Sequence, residues 1–258
     1  MSNSHRVGAF IASSLALVGL SISFCSPALA ASSNPILVEL FTSEGCSSCP
    51  PAEAFLRTLD TTQLIPGAQV IVLEEHVDYW DDQGWQDPFS SHAFTVRQND
   101  YVKRLHLNSG PYTPQMVIDG AEAFVGSDRA HARRALAKAA KLQKVNVEIS
   151  SAHVENGKVV GHIKVAEVAS TADVFLALAF DHAQSHVLRG ENGGLQLEHV
   201  AVVKRLTAVG QVKKGEPFSK DVTVTLDHDH PDQAYRLIAF VQEASEGKIL
   251  GAAVMRIR

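Results

Sequence analysis

Two cysteines, Cys46 and Cys49, stand three positions apart in "FTSEGCSSCPPAE" (41–53), directly after the apolar run "ILVEL". Thiols at this spacing support three chemistries: a dithiol–disulfide couple, a soft metal clip, or a structural staple. A disulfide between them closes a loop of about four residues, worth roughly 2 kcal/mol, against about 4.7 kcal/mol for a hundred-residue loop. As a staple the pair is poorly placed. A C-x-x-C between a strand and a helix is instead the arrangement of thiol–disulfide exchange centres. There the first sulfur attacks as a thiolate and the second resolves the mixed disulfide. As a metal clip, both thiolates together with His76 would make a soft three-coordinate Cu(I) site. Beyond the N-terminal segment the only methionines are Met116 and Met255, so no methionine-rich copper tract accompanies it.

The residues around the pair qualify its reactivity. Pro50 and Pro51 lack the N–H groups that interior helical positions need, so regular helix is expected to begin near Pro50, with Cys49 at its cap and Cys46 on a tight bend before it. A helix N-terminus lowers a thiol pKa. Glu44 opposes that effect, and Ser47 and Ser48 offer hydrogen bonds without positive charge. Further along, "EEHVDYWDDQGWQDPF" (74–89) holds both tryptophans of the chain, Trp80 and Trp85, with Tyr79 and Phe89. His76 and Asp78 are candidates for proton transfer to or from Cys49, and the aromatics for the wall of a peptide groove. The structural alternative makes the tryptophans hydrophobic anchors and His76 a hydrogen-bonded core residue. A carboxylate buried beneath the pair can accept a proton from the resolving thiol, which brings in Glu39, Glu74 and Glu75; a buried salt bridge is the commoner fate of a residue like Glu39. "DHDH" (227–230) reads as a solvated turn. "RGENGGLQLEH" (189–199) reads as a turn or bulge from which Glu191, Asn192 and His199 can approach the rest of the chain.

Two patterns carry these residues. Up to about Lys144, strand-like runs ("ILVELF", "VIVLEEHV") alternate with helix-like ones: "PAEAFLRTL", a segment after Asp87-Pro88 containing "HAFTVRQNDYVKRL", and an alanine-rich stretch capped by Ser127. Such alternation implies an α/β layer structure. From Val145 onward come about seven short β-type runs separated by turn residues, including an Asn156-Gly157 hairpin, which suggests a β-sandwich.

"VELFTSEGCSSCPPAE", "HVDYWDDQGWQDPF", "YTPQMVIDG", "RGENGG" and "AFVQEASEGKILGAA" together resemble a secreted bacterial family known only as a thioredoxin-like domain of unknown function. The resemblance covers nearly the whole chain after the N-terminal segment. It implies a Gram-negative envelope protein whose residues 31–144 form a thioredoxin-like α/β domain and whose residues 145–258 form an all-β, immunoglobulin-like sandwich. It also implies a cis Thr113–Pro114 bond beside the disulfide, Cys46 as nucleophile, Cys49 as resolving thiol and Pro114 as the contact to substrate backbone. Gly45 stands where thioredoxins commonly carry tryptophan, a departure that sets this chain apart from a generic thioredoxin.

Residues 1–30 read as an export signal: a polar start with Arg6, an uncharged apolar run, and the small residues Ala28 and Ala30 before the cut. An uncleaved anchor is the alternative, since the run approaches the length of a membrane span. Cleavage removes Cys25 and leaves 22 Lys+Arg against 28 Asp+Glu, a net charge of −6. Such a balance lacks the basic face a nucleic-acid binder needs, and no second long apolar span appears. The sequence therefore leads to a periplasmic protein exchanging thiols and disulfides with an envelope protein or small thiol, without an organic cofactor. The rivals are a Cu(I)-handling protein and a non-catalytic binding module that kept a disulfide from a redox ancestor.

Overall fold

In the computed structural model, which describes residues 1–2, 34–226, 233–244 and 247–257, the two continuous apolar runs become strands β1 (Asn34–Thr42) and β2 (Ala68–His76). They pair in parallel from Asn34↔Ala68 to Thr42↔His76. Each is buried on both faces, which explains why neither shows the alternation of a half-exposed strand. Helix α1 (Pro50–Thr62) makes the crossover between them, with Pro50 and Pro51 in its first turn, where a missing N–H has no helical partner to lose. Helix α2 (His92–Arg104) begins at a Ser91 cap rather than at Asp87-Pro88, because the Asp87 carboxylate is already taken by His76 and the Glu44 N–H. A cis Thr113–Pro114 bond leads into β3 (Gln115–Ile118), antiparallel to β1. The left-handed pair Asp119–Gly120 then turns the chain into β4 (Glu122–Val125). Helix α3 (Arg129–Ala139) is capped by Asp128, one residue beyond the expected Ser127.

The second half supplies β5 (Val147–Glu155), β6 (Lys158–Val165) and β9 (Phe218–Thr225), which form a three-stranded sheet in the order β5-β6-β9. The other strands of this half are β7 (Ala172–His186), β8 (Gln196–Val212), β10 (Tyr235–Glu243) and β11 (Ile249–Ile257). These four continue the first half's sheet into one mixed eight-stranded sheet, β11-β10-β7-β8-β2-β1-β3-β4. The seam between the halves is narrow: β8 meets β2 in parallel at the single registered pair Glu74↔Val202.

This architecture corrects the expected fold. The described residues are mostly β, with three helices of 13, 13 and 11 residues, and do not form a thioredoxin-like α/β domain followed by an immunoglobulin-like sandwich. The strands that would have formed half of a sandwich extend the sheet of the first half instead. The physical reason lies in β7 and β8, which run 15 and 17 residues and bury Ala177–Phe180 and Val200–Val203 on both faces. Strands so long and so apolar at their centres need neighbours on both edges, and β8 finds its second neighbour in β2. No helix among the described residues is long and apolar enough to cross a membrane. The expected export signal and the "DHDH" turn lie outside the described residues.

Strand alternation decides which side chains meet which helix. Ile36, Val38, Leu40, Val70 and Val72 face α1 and α3, packing on Phe55, Leu56, Leu59 and Leu136. Leu37, Phe41, Ile71 and Leu73 face the other way, towards Phe94 and Tyr101 of α2. With period two, Glu74 and His76 point to the α1 side, whereas Glu39 and Glu75 point to the α2 side.

Candidate functional site

Cys46 and Cys49 form a disulfide at the entrance to α1. The turn that permits it is built from backbone bonds: the Cys46 N–H donates to the Ser43 carbonyl and the Cys49 N–H to the Cys46 carbonyl, both at 3.1 Å. Cys49 is the N-cap, its carbonyl accepting from Ala52 and Glu53. Both cysteines are 0% exposed, although Ser47 and Ser48 between them are open to solvent. The Ser48 hydroxyl lies 3.3 Å from Cys46 Sγ, in place to donate to that sulfur when it carries charge.

The cover comes from the β7–β8 connection. Val187 and Leu195 close its base, the Val187 N–H donating to the Leu195 carbonyl and the Gly194 N–H to the Val187 carbonyl. At its tip, the buried Asn192 side-chain amide donates to the carbonyls of Glu44 (2.8 Å) and Cys46 (3.0 Å), and Glu191 accepts from the Ser47 N–H at 3.1 Å. On the opposite flank Trp80 sits against Gly45 and donates its indole N–H to Thr113 Oγ1 at 2.8 Å, tying the cysteine turn to the cis peptide. A Cβ at Gly45 would meet Trp80 Cβ at 3.1 Å, so any larger residue here, the tryptophan of thioredoxins included, would have to push Trp80 aside. The Pro114 carbonyl accepts from Gly126 N–H.

Behind the disulfide lies a buried ionisable cluster contributed by three elements and two loops. Glu74 and His76 come from the end of β2, Glu53 from the first turn of α1, His199 from β8, and Glu44 and Asp87 from loops; all are buried. His199 Nδ1 donates to Glu74 Oε1 at 2.7 Å, and its Nε2 faces Glu44 Oε1 at 3.3 Å. His76 Nδ1 donates to Asp87 Oδ2 at 2.7 Å, while its Nε2 lies 3.5 Å from Glu74 Oε1 without an aligned partner. Glu74 Oε2 accepts from the Val200 N–H at 2.9 Å, a side-chain bond at the seam where the β2–β8 ladder is a single pair. Glu44 is held by the Trp85 indole N–H at 2.7 Å and by the Ser185 hydroxyl. Thr42 donates to Glu53 at 2.7 Å.

Burial and neighbouring charge compete in this cluster. Burial pushes the Glu53 carboxyl up to about 7, against the pull of His199 and Thr42. Burial also opposes ionisation of Glu74, but His199 and His76 outweigh it and hold that carboxyl below its ordinary range. Both imidazoles are driven the other way from what burial favours: Glu74 and Glu44 raise His199 to about 10, and Asp87 and Glu74 raise His76. On the α2 face, Glu39 accepts from Arg97 Nε and the Tyr101 hydroxyl, each at 2.5 Å, in the buried salt bridge expected of it.

The structure therefore joins Cys46 to Cys49, links Thr113 to their turn through Trp80, and sets His76 on carboxylates, its two ring nitrogens facing Asp87 and Glu74. Asp78 turns away to Thr95 and His92. Trp80 and Trp85 are anchors of the cysteine turn, not walls of an open groove. Glu53 and Asp87 give no sign of their role in the sequence, the first inside an ordinary amphipathic helix and the second disguised as a helix cap. His199 carries a signal in "LEHVAVV", where a lone histidine opens a buried strand.

Residues 37–242 match the family described as "Protein of unknown function (DUF1223)", and the chain belongs to that family. No curated protein matches it. It is similar to the crystal structure of protein AGR_C_4864 from Agrobacterium tumefaciens, a structural-genomics target. That likeness has a TM-score of 0.65 at 28% identity and covers 85% of this chain and 93% of that one. A sporulation control protein from Bacillus subtilis, Spo0M, aligns at TM-score 0.31 and 17% identity over 44% of this chain and 47% of its own. A β-glucosidase from Kluyveromyces marxianus aligns at 0.24 and 15% over 45% and 14%.

Proposed function

We propose that this DUF1223 protein exchanges thiols and disulfides through Cys46 and Cys49, acting in the periplasm after its N-terminal segment is removed, on an envelope protein or a small thiol. The observation that carries the reading is the Cys46–Cys49 disulfide itself, closed across one turn at the N-cap of α1 beneath a loop held by Asn192. A bond that closes so short a loop adds little to stability, and both sulfurs are withheld from solvent beneath a cover that hydrogen bonds from the Asn192 and Glu191 side chains secure to the cysteine turn.

In the reduced form the Cys46 thiolate attacks a substrate disulfide. One substrate sulfur leaves as a thiolate, and a Cys46–substrate mixed disulfide forms. Cys49 then attacks Cys46 Sγ, the second substrate sulfur leaves, and the Cys46–Cys49 bond is restored. Two electrons have passed to the substrate, and the reverse sequence oxidises a substrate dithiol. Cys46 suits the attacking role because the exposed Ser48 hydroxyl reaches its sulfur, whereas Cys49 is embedded in the helix cap. Thr113 and Pro114 flank the turn through Trp80 and are the positions for substrate backbone.

The test is equilibration of the folded protein with glutathione buffers of graded ratio, with thiols mass-tagged and fold followed by circular dichroism. Exchange predicts that the pair converts between disulfide and dithiol while the fold persists. A pair that stays oxidised until the chain unfolds is inert, and the function is then another.

A further inference from the structure

We propose that Glu74, His76 and His199 bind a divalent first-row metal ion of the Zn2+ class, in a site made of imidazole and carboxylate and separate from the cysteines. The exchange steps at Cys46 and Cys49 use none of these side chains as ligands, and the site does not depend on those steps.

One ligand atom from each of the three residues lies within 4.8 Å of the other two, and all three side chains are buried. The atom that points to an ion is His76 Nε2. It is a buried ring nitrogen without a hydrogen-bond partner among the described residues, aimed at Glu74 Oε1 across 3.5 Å. A buried polar atom of this kind calls for an explanation, and a shared cation supplies one. Ligand atoms about 2.1 Å from a tetrahedral ion lie roughly 3.4 Å apart, close to the His76–Glu74 separation. His199 Nδ1, at 2.7 Å from the same oxygen, needs to open by less than one ångström.

The outer partners match those of a metal centre. Metal-bound histidines present their second nitrogen to a carboxylate or carbonyl, which fixes the ring. Here Asp87 holds His76 Nδ1, Glu44 faces His199 Nε2, and the Val200 N–H holds the second oxygen of Glu74. Each candidate ligand is thus oriented from behind by a different group, and the three ligand atoms converge. The charge is compatible: Glu44, Glu53, Glu74 and Asp87 are four buried carboxylates gathered around the two imidazoles, and a dication would take the place of the protons those imidazoles carry. Two imidazoles with a carboxylate favour zinc or iron over the oxygen-only sets of calcium and magnesium.

The open pocket of ≈ 410 Å³ lined by Glu53, Pro50, Arg57 and the start of β8 adjoins the cluster, since Glu53 Oε2 lies 4.0 Å from His199 Nδ1.

The experiment titrates Co2+ into the chelator-treated purified protein and follows the visible d–d bands of the ion, with Zn2+ competition. The expected result is one equivalent bound with four- or five-coordinate bands and without sulfur-to-cobalt charge transfer, unchanged in a Cys46→Ser, Cys49→Ser double variant. His199→Ala should abolish binding. Should that variant fail to fold, Asp87→Asn keeps the shape of the outer partner and should weaken binding about 10–100-fold. The proposal is overturned if the wild-type chain takes up no ion, if a folded His199→Ala or Asp87→Asn binds as tightly as wild type, or if the double cysteine variant loses binding.

Discussion

Replacing Asn192 by alanine should make the Cys46–Cys49 disulfide reducible about 30-fold faster without changing the fold. Both sulfurs are 0% exposed, so a reductant reaches them only when the 187–195 loop lifts. Asn192 secures the loop by donating to the carbonyls of Glu44 at 2.8 Å and Cys46 at 3.0 Å. Each such bond contributes about 1 kcal/mol net. Losing both favours the open loop by about 2 kcal/mol, and 1.4 kcal/mol is a factor of ten in a population, which gives the roughly 30-fold figure. The assay is pseudo-first-order reduction by dithiothreitol with mass-tagging of released thiols. Glu191→Gln serves as control: its carboxylate is exposed and its hydrogen bonds are to Ser47, itself open to solvent, so its effect should be much smaller. A folded Asn192→Ala reduced at the wild-type rate would refute the role of the loop. So would wild-type reduction that accelerates only across the urea unfolding transition, since access would then require global unfolding.

Two other predictions concern what holds the molecule together. Arg236 is buried and pairs with Asp60 at 2.6 and 2.8 Å and also with Asp181, joining α1 to β10 and to the end of the apolar part of β7. Arg236→Met should cost about 3 kcal/mol in urea unfolding, because two carboxylates lose their buried cation and keep only the exposed Arg256. Burial opposes ionisation of Asp181, yet Arg236 and Arg256 hold its carboxyl below the ordinary range. Its contribution is therefore fully present above the unfolded-state value near 3.8 and is lost as pH falls through the lower folded value. The gap between wild type and Arg236→Met should narrow in that acid window, and a pH-independent gap would contradict the assignment. Finally, reduction of the disulfide should lower stability by about 2 kcal/mol, the figure for a four-residue loop; a loss of twice that or more would mark it as a staple.

Much of the first half is legible in the sequence. The runs at 36–41 and 70–77 are strands, the prolines after Cys49 open a helix, and Asn156-Gly157 makes the hairpin turn expected of it. Local periodicity reports what one segment does and is silent on which segment it pairs with. That is why β7 and β8 read as part of a separate sandwich, when the pairing of β8 with β2 makes one sheet of the two halves. The same gap hides the ionisable cluster. Glu74 and His76 share a face by simple alternation, but the residues that complete their surroundings arrive from 11 to 125 positions away, Asp87 and His199 among them. Asp87 before proline satisfies the local pattern of a helix start, and only the tertiary contact with His76 shows that its carboxylate is engaged elsewhere.

The most direct test of thiol–disulfide exchange is to trap its covalent intermediate. Cys46→Ser and Cys49→Ser variants, expressed in Gram-negative cells, should be acid-quenched, alkylated and run on non-reducing gels. Cys49→Ser should accumulate reductant-sensitive adducts with envelope proteins or a small thiol, because the resolving sulfur is gone, and Cys46→Ser should accumulate almost none. Equal and negligible trapping by both variants would contradict exchange at this pair.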